Sequence, residues 1–68
     1  MKTFQLKDDF IQLDQLLKVC RFAENGSHAH QLVDEGMVRL NGSIEKRRRA
    51  KIRRGDLVEI SRIQLRIE

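Results

Sequence analysis

The spacing of apolar residues changes once along this chain, at Gly36, and no other feature limits the fold as much. Up to Gly36 the apolar positions follow a helical period. Leu13, Leu16, Leu17 and Cys20 fall at i, i+3, i+4 and i+7, and Ala29, Leu32, Val33 and Gly36 mark a second helical face. Beyond Gly36 the period is two: Val38-Arg39-Leu40 alternates, Val58 and Ile60 face one way, and Ile63, Leu65 and Ile67 alternate with Gln64, Arg66 and Glu68. The expected architecture is α+β, with two N-terminal helices packed apolar face on apolar face and then a small, mainly antiparallel, twisted sheet. The chain has 68 residues, no proline, no linker composition and no repeat. A chain of this size buries only about 60% of its unfolded surface, enough for one core, so residues 1–68 read as a single domain.

Local signals fill in this frame. Thr3-Phe4-Gln5-Leu6 alternates as a short strand would, and Lys7-Asp8-Asp9 interrupts it as a polar turn. Asp14 near the start of the first helix, and Lys18 and Arg21 toward its end, suit the helix dipole. Glu24-Asn25-Gly26-Ser27 separates the helices, and either Asn25 or Ser27 can cap the second. Gly36 is placed as its left-handed C-terminal residue. Asn41-Gly42 is a two-residue hairpin signal. A strict hairpin leaves Ile44 on the outer face with Arg39, so either the return strand carries a bulge or the hairpin is brief and Ile44 packs elsewhere. Arg54-Gly55-Asp56 is a further turn, and Ser61-Arg62 is a tight connection between the last two strands.

The net charge of +4 conceals an asymmetry. Residues 1–45 carry five basic and seven acidic side chains, a net −2; residues 46–68 carry nine and three, a net +6. Seven of the nine residues from Lys46 to Arg54 are cationic. Charges this dense repel one another, and a polyanion relieves the repulsion. Arginine dominates the run, and its planar fork can donate two parallel hydrogen bonds to phosphate. A solvated loop without a partner is the bland alternative; the density and arginine content favour a nucleic acid.

Other chemistry is absent. One cysteine permits neither an internal disulfide nor a four-thiolate metal site, and Cys20 reads as a small buried hydrophobe on the helical stripe. His28 and His30 are two apart and do not face each other on a helix, so they make no metal pair and read as exposed polar residues. An imidazole can still touch phosphate, so His30 is kept as a candidate contact. No glycine-rich phosphate loop occurs. The aromatic residues are Phe4, Phe10 and Phe22, too few for base-stacking platforms, and they read as core. The chain therefore reads as a non-catalytic module without cofactor, metal or small-molecule substrate. No apolar run approaches the ~18 residues of a membrane span, and the opening Met1-Lys2-Thr3-Phe4 lacks signal-peptide character. The expected setting is cytoplasmic, away from membranes.

Three stretches together resemble a known family. Leu13-Asp14-Gln15-Leu16-Leu17, then Ala29-His30-Gln31-Leu32-Val33-Asp34-Glu35-Gly36-Met37-Val38-Arg39-Leu40-Asn41-Gly42, then Ile52-Arg53-Arg54-Gly55-Asp56-Leu57-Val58-Glu59-Ile60, are similar in order and spacing to the RNA-binding domain named after ribosomal protein S-four. The resemblance spans roughly residues 12–60 and is strongest to small stand-alone bacterial members. It implies the alpha-L arrangement of two helices beside a small sheet and a basic hairpin region. It also implies binding of structured RNA, plausibly ribosomal, through the helices and the basic loop. Position by position it implicates Lys18, His30, Arg39, Lys46, Arg47, Arg48, Arg49 and Lys51. Gln12 and Asn25-Gly26 stand where many members have Arg and Ser-Arg, which shifts the weight to the basic run. A DNA-binding module and a protein-interaction or dimerisation module are the alternatives. Against DNA, residues 28–35 hold no Arg or Lys and end in Asp34 and Glu35, a poor major-groove surface.

Overall fold

The computed structural model describes all of residues 1–68. The elements in order are β1 (Lys2–Phe4), β2 (Ile11–Gln12), α1 (Leu13–Val19), α2 (Gly26–Asp34), β3 (Val38–Leu40), β4 (Ser43–Ile44), β5 (Lys51–Ile52), β6 (Leu57–Ile60) and β7 (Ile63–Ile67). The fold is α+β, as the change of period predicts. Five strands form a mixed sheet in the order β1-β7-β6-β3-β4, antiparallel except where β1 lies parallel to β7. No helix is long and apolar enough to cross a membrane.

Each helix forms for a local reason. In α1, Leu13, Leu16 and Leu17 are fully buried, and in α2 Ala29 and Val33 are. Of the two candidate caps for α2, Asn25 serves: its Oδ1 accepts the His28 N–H at 2.8 Å. Both helices end the same way. In α2 the Gly36 N–H reaches the Val33 carbonyl and the Met37 N–H the Leu32 carbonyl, with Gly36 at φ +74°. In α1 the Arg21 N–H reaches Lys18 and the Phe22 N–H reaches Leu17, with Arg21 at φ +64°. These are paired bonds of the Schellman type. Together Leu13, Leu16, Leu17, Val33, Val38, Ile52, Val58 and Ile67 form the fully buried centre between helices and sheet.

Four details differ from the sequence expectation. The first strand is Lys2–Phe4 rather than residues 3–6, although its ladder continues through Glu68 N–H to Phe4 O and Leu6 N–H to Glu68 O. The β3–β4 hairpin is brief and keeps strict register, Leu40 opposite Ser43 and Arg39 opposite Ile44. It carries no bulge, and Ile44 stays on the outer face, 51% exposed. A second sheet joins β2 to β5, Ile11 opposite Ile52 and Gln12 opposite Lys51; two residues per strand are too few to leave a periodic signal. Finally, Phe10 is not in the core. It is 37% exposed, with the Lys51 Nζ 4.9 Å from its ring centre.

Candidate nucleic-acid interface

The basic run is mounted on the fold by its alternate residues. Ala50 and Ile52 point inward and are buried, Ile52 completely. Arg49 in the turn before β5, Lys51 on β5 and Arg53 just after it alternate with them and are exposed. The same segment closes the N-terminus of α1. Gln12 stands at the cap position without a side-chain bond. Instead the Leu13 N–H donates to the Ala50 carbonyl at 2.8 Å and the Asp14 N–H to the Arg48 carbonyl at 3.1 Å. Two otherwise unpaired helix donors thus hold the loop in place.

The seven cations divide into two sets. Four are engaged by the protein itself. Lys46 Nζ donates to the Asp34 carbonyl at the end of α2, at 2.9 Å. Arg47 forms a two-pronged contact with Glu45, both bonds at 3.1 Å, and its backbone N–H donates to the same carboxylate. Arg48 grips both oxygens of Asp34. Arg54 donates to the Leu6 carbonyl at 2.8 Å. The hydrogen bond from Arg48 holds the Asp34 carboxyl below the usual range, and that from Arg47 does the same for Glu45. In return, the guanidinium pKa of each arginine is raised. The other three, Arg49, Lys51 and Arg53, form no side-chain hydrogen bond or ion pair with the protein. With Arg47 and Ala50 they line an open depression of about 390 Å³.

The residues implicated on the helices and hairpin lie apart from this depression. His30 Nε2 is 3.1 Å from Oδ2 of Asp14, and Asp14 is nearly buried. His28 Nδ1 accepts the Glu24 N–H at 3.1 Å. Both imidazoles are half-buried, so neither is the freely exposed side chain read from sequence. No group of three His, Cys, Asp or Glu residues converges that could hold a metal ion. Lys18 is half-buried in the last turn of α1. Arg39 is exposed on β3, where its Nη1 reaches the Gly42 carbonyl at 3.4 Å. Cys20 is half-buried rather than buried, and burial pushes its thiol pKa up, against the opposing charge of Lys2. A protonated thiol is a poor nucleophile.

Arg53 and Phe10 were not singled out from sequence. The signal for Arg53 was present: Arg49-Ala50-Lys51-Ile52-Arg53 alternates with period two, masked by its own charge density. Phe10 carried no comparable signal, because its exposure follows from the β2–β5 pairing.

Residues 4–68 match the S4 domain family. YbcJ of Escherichia coli (strain K12) is 37% identical over 62 residues, which cover 90% of this chain and 89% of that protein. YbcJ of Shigella flexneri matches to the same extent. The solution structure of YbcJ from E. coli superposes with a TM-score of 0.72 at 34% identity, covering 98% of this chain and 86% of that one. That structure carries an alfaL motif described as involved in RNA-binding.

Proposed function

Because this chain belongs to the S4 domain family, we propose that it binds structured RNA through phosphate contacts and catalyses no reaction. The observation that carries the reading is the outward row Arg49, Lys51 and Arg53, three cations whose side chains make no hydrogen bond or ion pair with the protein, on a backbone pinned by β2 and by the start of α1. A fixed row of this kind binds a backbone without first ordering its side-chain mounts. Arg47 flanks the row and exchanges Glu45 for phosphate, and Lys46 and Arg48 brace it. Lys18, His30 and Arg39 extend the contact along the helices and hairpin. Phosphate contacts position the RNA and do not read bases. Structured RNA is favoured over DNA because the exposed helix α2 lacks cations and cannot serve as a major-groove reader, whereas A-form helices are recognised by backbone and shape. Ribosomal RNA, in the cytoplasm, is the RNA we propose.

The test is a salt titration against a structured RNA and a DNA duplex of matched length. If Arg49, Lys51 and Arg53 each meet a phosphate, they contribute roughly −2 to −3 to the slope of log K against log salt. The variant R49Q/K51Q/R53Q loses that share of the slope and keeps the part owed to Arg47, Lys18, His30 and Arg39, and wild type binds the RNA more tightly than the DNA at equal salt. A flat wild-type slope, or a triple variant that keeps the wild-type slope, refutes the phosphate reading; equal affinities refute the preference for RNA.

A further inference from the structure

Beside the cationic row lies a second depression, of about 320 Å³, with a different lining. Its lining is mostly apolar, with Phe4, Leu6, Phe10, Ile11 and Val19, and it includes the polar Lys7 and Asp8. Two of the lining residues are unusually exposed for apolar side chains, Phe10 at 37% and Val19 at 58%. Phe10 joins the two depressions. It lines the apolar one, and Lys51, which lines the cationic one, sits over its ring.

We propose that this apolar depression takes one unpaired nucleobase of the RNA whose backbone lies on Arg49, Lys51 and Arg53. The inference rests on the phosphate reading and extends it from backbone to base. Three observations favour a base as occupant. The depression meets the row proposed to hold phosphate where Lys51 sits over Phe10, so a nucleotide anchored there brings its base within reach. Lys51 covers one face of the Phe10 ring, and the part of the ring left exposed suits a flat aromatic base, because base–aromatic stacking adds to affinity. The lining supplies a donor in Lys7 and an acceptor in Asp8, which a base edge can use. One exposed ring serves one base and cannot form the platform a single-strand binder requires. The RNA it fits is therefore a helix interrupted by a bulge or junction, whose extruded base costs little to unstack.

Two RNA hairpins of equal length and charge decide the matter, one fully paired and one with a single bulged 2-aminopurine. Wild type is expected to favour the bulged hairpin by about tenfold and to quench the 2-aminopurine fluorescence. F10L and V19Q bring the ratio of the two affinities toward one and abolish the quenching, with the salt slope kept. Val19 is exposed, so V19Q tests the site even if F10L folds poorly. Equal wild-type affinities without quenching overturn the base site and leave the phosphate reading standing. So does a preference that survives in V19Q. Failure of wild type to bind either hairpin in a salt-dependent way overturns both. Concentration-dependent self-association abolished by V19Q, without quenching, assigns the depression to a second copy of the chain and overturns the base site.

Discussion

Four non-glycine residues, Arg21, Asn41, Ser61 and Arg62, hold positive φ. Two of them make the β6–β7 turn, Ser61 at +51° and Arg62 at +67°, closely matching Asn41 at +51° and Gly42 at +89° in the β3–β4 turn. Both are two-residue hairpin turns with two left-handed residues, and Asn-Gly suits them best. The Asn-Gly pair announces itself by residue type. Ser-Arg was legible only because apolar alternation resumes on either side of it. The chain therefore offers its own control. Ser61→Asn with Arg62→Gly should stabilise the fold by about 1 kcal/mol, raising the melting midpoint by roughly 4–8 °C. Gly36→Ala should do the reverse by a similar amount. A Cβ there meets Lys46 Nζ at 3.5 Å and Ile44 Cγ2 at 3.7 Å, both ordinary contacts, so the cost comes from φ +74° alone. Thermal melts of the two variants check both signs. A neutral Gly36→Ala would mean that α2 can end without its left-handed residue.

Among the elements, the segment from Glu45 to Arg54 was the hardest to read. Its charge suggests a solvated loop, yet it contains a strand, caps one helix with its carbonyls and latches another through Arg48 and Asp34. These contacts join residues 14–41 positions apart, and no local pattern encodes them. Helices and hairpins, by contrast, are set by neighbours three to nine residues away, and for that reason they were legible. The latches make the segment acid-sensitive. Asp34 and Glu45 both have lowered pKa values, because hydrogen bonds from Arg48 and Arg47 favour their charged forms. Their stabilisation is complete above the unfolded-state values, near pH 4, and is lost as pH falls through the lower folded-state values. Both pairs reach solvent, so the effect is screened. Melting midpoints recorded from pH 6 to pH 2 should therefore fall more steeply below pH 4 in wild type than in D34N/E45Q. Parallel curves would show that the arginines hold these carboxylates no more tightly than water does.

At the scale of the whole molecule, the imbalance between a net −2 in residues 1–45 and a net +6 in residues 46–68 does not persist as two separate halves. The fold lays the basic segment across the start of α1 and the end of α2, and Asp34 there takes up part of its charge. Composition gave the excess of cations. It could not say which of them the protein neutralises, since that depends on the relative placement of α2 and the loop. In sequence Arg47, Arg48 and Arg49 are equivalent; in space Arg48 is a latch and Arg49 is free. The two roles separate by experiment. R49Q/K51Q/R53Q removes three like charges from one face without touching a hydrogen bond, so its melting midpoint should equal or exceed that of wild type, while its RNA affinity falls. R48Q leaves the free row intact and releases the loop from Asp34, so its midpoint should fall. Its RNA affinity should drop less than that of the triple variant, because one bracing residue is lost rather than three phosphate contacts. Melting curves and RNA titrations on both proteins give four numbers. If R48Q costs more RNA affinity than the triple variant and leaves the midpoint unchanged, then Arg48 releases Asp34 for phosphate, and the division between bracing and binding cations drawn from the unliganded protein is wrong.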